Sequence, residues 1–362
     1  MRLIVVGLAL ALLPSPAPAD PAPATGMKYP EFAAREHKEA AGALPYRLLS
    51  PAELKPGVAY PLVIWLHGSG EVGNDNRAQL ASKVAETFLA PDARKNFPCF
   101  VMVPQASKDS GWLGVGINKP PDISDSSRRV VATVAELVKE FGIDSQRIYI
   151  GGFSMGGIGT WDLLVRYPDL FAAAFPIAGP PMGRERLLPL VKDVPVWLFQ
   201  GDKDGNVPVA SARSAAAAFK AAGGRIQYTE YAGLGHDCSR ALSEPKLLEW
   251  LFSCRRAAAA SFTPATLPAD GFDFVKTLPP GTHGTWSGKV EHTAHAAARL
   301  PVDGVRYRLQ PAKDAKAGVA ETLVKIGKGE LAGEYRVTGT VVVDRYAWIT
   351  VEEIEPVAPA AK

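Results

Sequence analysis

The stretch from Arg147 to Tyr167 reads RIYIGGFSMGGIGTWDLLVRY, and it decides the fold. A short β-branched and aromatic run enters a turn dense in glycine, and the chain leaves that turn as a segment of helical character. Within the turn, Gly152-Phe153-Ser154-Met155-Gly156 matches the pattern G-x-S-x-G. Strand, sharp turn and helix are the context in which this pattern indicates a nucleophilic serine at the end of a strand.

The glycines of the turn have a steric reason. A serine lifted off the end of a strand needs a strained backbone. Its neighbours two positions away, Gly152 and Gly156, must lack a Cβ because the strand and the helix cross closely there. The helix that follows places the positive end of its dipole beneath the serine. The bare pattern is weak evidence by itself, so the flanking strand and helix carry the interpretation.

The composition is that of an ordinary globular chain, with 47% hydrophobic and 21% charged residues and a net charge of +3. A length of 362 residues predicts about two domains. The sequence has neither a basic run nor an RNA-binding signature, so nucleic acid is not an expected partner.

The first 19 residues have the features of a secretory signal peptide. Arg2 precedes the apolar run Leu3 to Leu13, and Ala17-Pro18-Ala19 forms an A-x-A cleavage site before Asp20. This run is too short to span a bilayer, and no later stretch approaches ~18 uninterrupted apolar residues. We therefore predict export to the periplasm or the medium without stable membrane insertion, with an uncleaved short anchor as the alternative.

The chain contains three cysteines, Cys99, Cys238 and Cys254. An oxidising compartment would permit one disulfide, and Cys238 with Cys254 is the candidate pair because both lie near the end of the first domain. Cys99 lies in an apolar run and is expected to be a buried strand residue.

Short apolar runs alternate with helical patterns between residues 45 and 256, which predicts an α/β domain with a doubly wound, mostly parallel sheet. Several runs are apolar throughout, so both faces of the sheet should be covered. Residues 20–44, which begin rich in Pro and Ala, are expected to form a flexible leader. The strand candidates are Pro61 to His67, Cys99 to Pro104, Arg147 to Ile150, Ala172 to Ala178, Val194 to Gln200 and Arg225 to Tyr231. The helix candidates are Ser126 to Gly142, Pro208 to Ala222 and Glu244 to Phe252.

An alanine-rich linker at residues 257–261 separates this domain from a β-rich region at residues 262–356. Thr338-Gly339-Thr340 predicts a bulge within one strand of that region. Strands around one helix suggest a small OB-like barrel, expected to be an accessory module that contacts a surface or a carbohydrate. The strand candidates are Gly284 to His292, Val305 to Leu309, Tyr335 to Val343 and Ala347 to Ile354, and the helix candidate is Ala315 to Lys325.

A serine nucleophile needs a base to accept its proton and an acid to hold that base in the right tautomer. In this fold the acid and then the histidine follow later strands in chain order. The segment GDKDGNVP offers Asp202 and Asp204, and AGLGHDC offers His236. We favour Asp204 because it lies in the middle of its loop, with Asp202, or a turn-forming role for both, as the alternative. Asp237 is a poor candidate because it adjoins His236.

Acyl transfer also needs donors for a developing oxyanion. One candidate is the backbone N–H of Met155, and the other is the N–H of Ser69 or Gly68 in the loop His67-Gly68-Ser69-Gly70-Glu71. We expect His67 to be a structural hydrogen bonder rather than a base. The sequence contains no H-E-x-x-H or C-x-x-C motif, so we expect no metal and no cofactor.

Taken together, these motifs resemble serine hydrolases of the α/β-hydrolase fold. Within that fold the chain is similar to bacterial secreted esterases of the phospholipase/carboxylesterase-like or predicted-peptidase group, with polyhydroxybutyrate depolymerases and feruloyl esterases as near relatives. The resemblance spans roughly residues 45 to 254. The segments that carry it are YPLVIWLHGSGEVGNDN, PCFVMVPQ, DSQRIYIGGFSMGGIGTWDLLVRYPDLFAAAFPIAG, DVPVWLFQGDKDGNVPV, YTEYAGLGHD and LLEWLFS.

This resemblance implies Ser154, Asp204 and His236 as a triad, the Gly68 to Ser69 loop as oxyanion donor, and Trp112 as a residue that lines the acyl or alcohol pocket. The chain departs from the family at Cys238-Ser239-Arg240, where an aromatic residue is common. The expected function is secreted hydrolysis of small-molecule or polymer carboxylic esters through an acyl-enzyme. The alternatives are a serine peptidase with the same triad, or a non-catalytic carbohydrate- or partner-binding protein.

Overall fold

The structure, a computed structural model, describes residues 28–112, 123–182, 185–265, 283–292, 298–302, 305–328, 330–331, 333–343 and 347–357. The predicted signal peptide therefore lies outside the described residues. Among the described residues, no helix is both long and apolar enough to cross a membrane.

Eight strands form one mostly parallel sheet in the first domain. The strands are β1 Phe32–Glu39, β2 Gly42–Leu49, β3 Leu62–Leu66, β4 Phe100–Pro104, β5 Ile148–Phe153, β6 Ala173–Ile177, β7 Val196–Gly201 and β8 Ile226–Tyr231. Their order is β1-β2-β4-β3-β5-β6-β7-β8. Strands β3 to β8 run parallel, whereas β2 is antiparallel to both β1 and β4. All six strands predicted for this domain are present, with ends shifted by a few residues.

Helices cover both faces of the sheet, and two hydrophobic cores result. In β3, Leu62, Ile64 and Leu66 face the first core, and Val63 and Trp65 face the second. This strand is buried throughout because side chains that alternate in direction find a helical layer on either side. The helices are α1 Val84–Leu89, α2 Pro91–Asn96, α3 Asp125–Phe141, α4 Met155–Arg166, α5 Val209–Ala221 and α6 Leu247–Ser253.

Helix α3 shows how local sequence sets the ends of a helix. At its start, the Ser124 hydroxyl accepts a hydrogen bond from the Ser127 N–H at 3.0 Å, which satisfies one of the free amides of the first turn. At its end, Gly142 adopts a left-handed conformation with φ of 62°, as a C-terminal cap requires. The predicted helix and its cap are both present.

The expectation of a flexible leader over residues 20–44 is wrong for its second half. Strand β1 pairs with β2 along its whole length, so the sheet begins at Phe32 and not at residue 45. Phe32 is fully buried. Glu39 lies against two arginines of α3, and its hydrogen bond to Arg128 lowers the pKa of Glu39 to about 2. The segment AAREHKEAAG hides this strand because its exposed side is charged and it is rich in alanine.

The chain beyond α6 follows the first domain further than the sequence predicts. The N–H of Ser261 donates to the carbonyl of Asp169 at 3.1 Å, and the N–H of Ala265 donates to Arg166 at 2.6 Å. Phe262 packs against the first core. Residues up to Ala265 therefore contact the α/β domain, although the sequence assigned residues from 262 onward to the next one.

The three cysteines are free thiols, so the disulfide suggested between Cys238 and Cys254 is absent. Cys238 is fully buried, and this burial raises the pKa of its thiol to about 12. The Cys254 thiol instead donates a hydrogen bond to the Trp250 carbonyl. Cys99 is buried, as expected of a residue at the edge of a core strand.

The C-terminal region forms a closed barrel of five strands. The elements are β9 His283–His292, β10 Ala298–Val302, β11 Val305–Pro311, α7 Val319–Gly327, β12 Gly333–Val343 and β13 Ala347–Pro356. Around the barrel the order is β10-β11-β13-β12-β9, with β11 parallel to β13. The register of β12 on β13 shifts between Thr338 and Gly339, which confirms the predicted bulge.

Replacement of Phe32 tests the position of the first strand. Phe32→Ala removes a fully buried ring from the second core, so we expect the free energy of unfolding to fall by about 3 to 5 kcal/mol. Urea denaturation of the full chain measures the change, with Lys38→Ala on the exposed side of β1 as the control. Equal urea midpoints for both variants and wild type would contradict the buried strand and favour a flexible leader instead.

Candidate active site

Ser154 lies at the sharp turn between β5 and α4. Its backbone has φ of 54° and ψ of −116°, a strained conformation for a residue other than glycine. A Cβ on Gly156 would collide with the carbonyl oxygen of Leu66, and a Cβ on Gly152 would collide with the same oxygen and with Gly156. The turn therefore exists only because these two positions are glycine, as the sequence predicts.

His236 reaches Ser154 from the loop after β8. Its Nε2 atom lies 2.8 Å from the Ser154 hydroxyl oxygen, and its Nδ1 atom lies 2.8 Å from Oδ2 of Asp204. Because the carboxylate accepts a hydrogen bond at Nδ1, that nitrogen carries the proton of the neutral ring and Nε2 accepts from the hydroxyl. Three residues spread over more than 80 positions of the chain thus form one hydrogen-bonded series.

The Asp204 carboxylate is buried and held from several directions. Its Oδ1 accepts hydrogen bonds from the N–H groups of Asn206 and Val207, both at 2.8 Å. Its Oδ2 also accepts from the side-chain amide of Gln200 at 2.7 Å. These bonds to the ionised form compensate for its burial and keep the carboxylate aimed at His236.

The other two carboxylates considered for this role point elsewhere. Asp202 accepts a hydrogen bond from the N–H of Gly233 at 2.7 Å, and Asp237 accepts one from Ser239. The Lys203 N–H also donates to the Leu234 carbonyl at 2.8 Å, which ties the loop after β7 to the loop after β8. Of the two aspartates that the sequence left open, Asp204 is the one that meets the imidazole.

The two predicted sources of oxyanion donors flank the serine. Met155 is the first residue of α4, so its N–H has no acceptor within the helix. Gly68 and Ser69 follow β3, and the Leu66 carbonyl at the end of β3 lies against Gly156 in the sharp turn that carries Ser154. Both segments lie at the carboxyl edge of the sheet, where parallel α/β proteins place their sites.

Comparison with known proteins follows the same part of the chain. The family described as phospholipase/carboxylesterase matches residues 55–244, which is more than half of the chain. The chain belongs to the phospholipase/carboxylesterase family. At the family level it is therefore a carboxylic-ester hydrolase.

Individual relatives agree with this assignment. A solved structure described as a thermostable esterase is 34% identical with a TM-score of 0.59, over 63% of this chain and 64% of that one. A "Probable carboxylesterase" of Oryza sativa subsp. japonica is 28% identical over 196 residues, 49% of this chain and 72% of the relative. A bifunctional acetylxylan esterase/xylanase of Neocallimastix patriciarum is 26% identical over 134 residues, 36% of this chain and 17% of the relative. The chain thus spans just under two thirds of the thermostable esterase.

In this carboxylesterase-family domain, His67 is a structural residue. Its ring is fully buried, its Nδ1 donates to the Gly68 carbonyl at 2.6 Å, and its Nε2 accepts from the N–H of Ala106 at 3.0 Å. Burial lowers the pKa of His67 to about 4. Both nitrogens of the neutral ring are therefore engaged, and His67 holds the loop that carries Gly68 and Ser69.

Trp112 packs against His67 and so supports the loop that carries Gly68 and Ser69. Its indole N–H donates to the carbonyl of His67 at 2.9 Å, and its ring lies 4.9 Å from the imidazole of His67 between ring centroids. The side chain is fully buried. The resemblance implied that Trp112 lines a substrate pocket, and that role stays a prediction; in the structure the indole N–H is paired with the His67 carbonyl.

A buried polar network extends this support to residues that the sequence analysis missed. The side-chain amide of Gln105 donates to the Glu71 carbonyl at 3.1 Å and to Asp75 at 2.8 Å, while its oxygen accepts from the Asn76 N–H. Asn76 adopts φ of 51°, and its carbonyl accepts from Arg47. The sequence signal for this network was Gln105 itself, a polar residue directly after the apolar run FVMVP. A solvated turn would explain the same pattern equally well.

The buried His67 predicts a dependence of stability on pH. Between pH about 6.5 and about 4 the unfolded chain binds a proton at this residue and the folded chain does not. The free energy of unfolding should therefore fall as the pH is lowered through this window, by up to about 3 kcal/mol from this residue. Urea denaturation of wild type and of His67→Gln between these pH values measures the difference. Parallel pH profiles for the two proteins would contradict the assignment.

Proposed function

We propose that this protein hydrolyses carboxylic esters through an acyl-enzyme on Ser154, with His236 as general base and acid and Asp204 as its orienting carboxylate. The observation that carries the proposal is the hydrogen-bonded series from Asp204 through His236 to Ser154, with both contacts at 2.8 Å. Family membership supports the ester class of substrate. The similarity to the thermostable esterase supports the same class of substrate.

The reaction follows from the positions of the groups. His236 Nε2 takes the hydroxyl proton while Ser154 Oγ attacks the ester carbonyl. The oxyanion of the tetrahedral intermediate accepts a hydrogen bond from the N–H of Met155. Collapse of the intermediate breaks the bond to the alcohol, which leaves with the proton from Nε2. Water then repeats the sequence on the acyl-enzyme and releases the acid. Asp204 stays ionised throughout and stabilises the imidazolium.

The second oxyanion donor is the N–H of Ser69 or Gly68. Both amides follow β3 and are braced by His67, whose carbonyl and ring are themselves held by Trp112 and Ala106. A donor held in place before the reaction needs little reorganisation when the oxyanion forms, and one such donor contributes roughly a factor of 10² to 10³ in kcat.

Substitution of the reacting residues tests the proposal. Ser154→Ala should lower kcat for p-nitrophenyl acetate by roughly 10⁴ to 10⁶, because the nucleophile is lost. Asp204→Asn should lower it by roughly 10⁴, because the imidazole then takes the wrong tautomer. The matched control is Asp202→Asn, which should stay within a factor of about two of wild type.

Retention of most activity by Ser154→Ala would end the assignment, and equal losses in the two aspartate variants would remove Asp204 from its role. Amide analogues with the same acyl group run beside the esters test the peptidase alternative. Hydrolysis of the amides at rates comparable with the esters would favour a peptidase over an esterase.

We further propose, from residues 1–19 alone, that the protein is exported. Amino-terminal sequencing that began at Met1 in the exported fraction would contradict cleavage of the signal peptide.

From the strand order, we propose that the C-terminal barrel is OB-like. Its helix α7 lies between the third and fourth strands, and its third and fifth strands are parallel. An experimental structure with β11 and β13 unpaired would contradict the barrel. We also propose that the barrel contacts a surface or a carbohydrate. This proposal would be contradicted if the full chain were not retained on acetylated polysaccharide.

A further inference from the structure

Phe153 directly precedes the proposed nucleophile, and the proposed reaction assigns it no role. It is the last residue of β5, where it lies opposite Ile177 of the neighbouring strand β6. Ser154 follows it in the strained turn. The main chain of Phe153 is therefore fixed by the sheet on one side and by the turn on the other.

The side chain of Phe153 packs against the loop of candidate oxyanion donors. Side chains alternate along β5, so Phe153 shares a face of the sheet with Tyr149, and both contact the second core. A Cβ built on Gly68 would lie 3.2 Å from a ring carbon of Phe153, which is closer than most Cβ contacts. The ring therefore lies directly against Gly68.

The same ring contacts the proposed general base. The ring centroids of Phe153 and His236 are 5.1 Å apart, and the two ring planes meet at 42°. Hydrogen bonds hold the two nitrogens of the imidazole, Nδ1 at Asp204 and Nε2 at Ser154. These bonds alone leave the ring free to rotate about the line that joins its nitrogens. A rigid ring packed against the imidazole restricts this rotation.

His236 also changes its charge during the proposed reaction. It becomes an imidazolium when it takes the proton of Ser154, and again when it takes the proton of the attacking water. Only 16% of its side chain is exposed, so little water is available to solvate this charge. A cation within about 6 Å of an aromatic centroid is attracted to the electron-rich face of the ring, and the attraction is stronger when the cation is desolvated.

This attraction is selective for the transition state. The imidazole is neutral before Ser154 attacks, so its contact with Phe153 strengthens only as the positive charge develops. An interaction that is stronger in the transition state than in the ground state raises kcat, whereas one that is equal in both does not.

We propose that Phe153 is a positioning residue that acts through His236: its ring fixes the tilt of the imidazole and stabilises the imidazolium that forms during acyl transfer. The inference rests on the proposed ester hydrolysis at Ser154 and adds a further residue to that same site. The expected contribution is roughly 2- to 30-fold in kcat, the range of one cation–π contact.

The test changes the electron density of the ring while nearly keeping its shape. In the full-length protein, Phe153 is replaced by mono-, di- and trifluorinated phenylalanine, introduced by suppression of a stop codon. Each fluorine withdraws electron density from the ring face and so weakens its attraction for a cation. The kcat for p-nitrophenyl acetate, normalised to active sites by titration with a fluorophosphonate, should fall stepwise along the series. The value of kcat/KM should fall in parallel, because the interaction is made in the transition state.

A conventional variant and a matched control accompany this series. Phe153→Leu removes the aromatic face but keeps an apolar side chain, so its kcat should fall by roughly 2- to 30-fold. The control is the same fluorinated series at Phe219, a fully buried ring that packs against Trp161 in the first core. These proteins should keep the wild-type kcat. If Phe153→Leu does not fold, the fluorinated series decides the question by itself.

Equal kcat values along the fluorinated series at Phe153 would overturn the inference, and together with a slow Leu variant they would make Phe153 a packing residue only. Equal losses in the Phe153 and Phe219 series would overturn it as well, because fluorine would then act through the core rather than through His236. Failure of the underlying reaction is distinguishable, because wild type would then not hydrolyse the ester and Ser154 would not react with the fluorophosphonate.

Discussion

The close approach of backbone to backbone at Gly152 and Gly156 is the constraint on which the site depends. Both glycines lie against the carbonyl oxygen of Leu66, at the end of β3, and neither position has room for a Cβ. This contact forces Ser154 into its strained conformation, and it also brings the end of β3 beneath the serine. One steric condition therefore positions Ser154, the proposed nucleophile, and the loop of candidate oxyanion donors together.

Polar groups around the candidate site hold both the Asp204 carboxylate and the loop of candidate oxyanion donors in place. Gln200 and two backbone amides hold the Asp204 carboxylate, while His67, Trp112 and Gln105 hold the loop on the other side of the serine. Catalysis of acyl transfer depends on dipoles that are already oriented before charge develops.

Much of this architecture could be predicted because its signals are local. The apolar strands, the α3 helix with Gly142 at its end, and the bulge at Gly339 all follow from patterns within one segment. Asp204 and His236 could be proposed because chain order in the fold restricts them to two loops. Strand β1 could not be found, because its buried side is visible only once β2 and α3 are packed against it.

The supporting network was beyond sequence reasoning for a similar reason. Gln105 and Asn76 are 29 positions apart, and nothing in either segment marks them as partners. The burial of Trp112 likewise depends on a hydrogen bond to a carbonyl 45 positions away. Side-chain identity predicts the chemistry that a residue offers, whereas its partner is decided by the packing of distant segments.

The most direct measurement is to label the protein with a fluorophosphonate, digest it and locate the adduct by mass spectrometry, with and without an excess of ester substrate. We predict one adduct per chain, on the peptide that contains Ser154, and slower labelling when the ester is present. Labelling at another residue, or no labelling of folded protein, would contradict it.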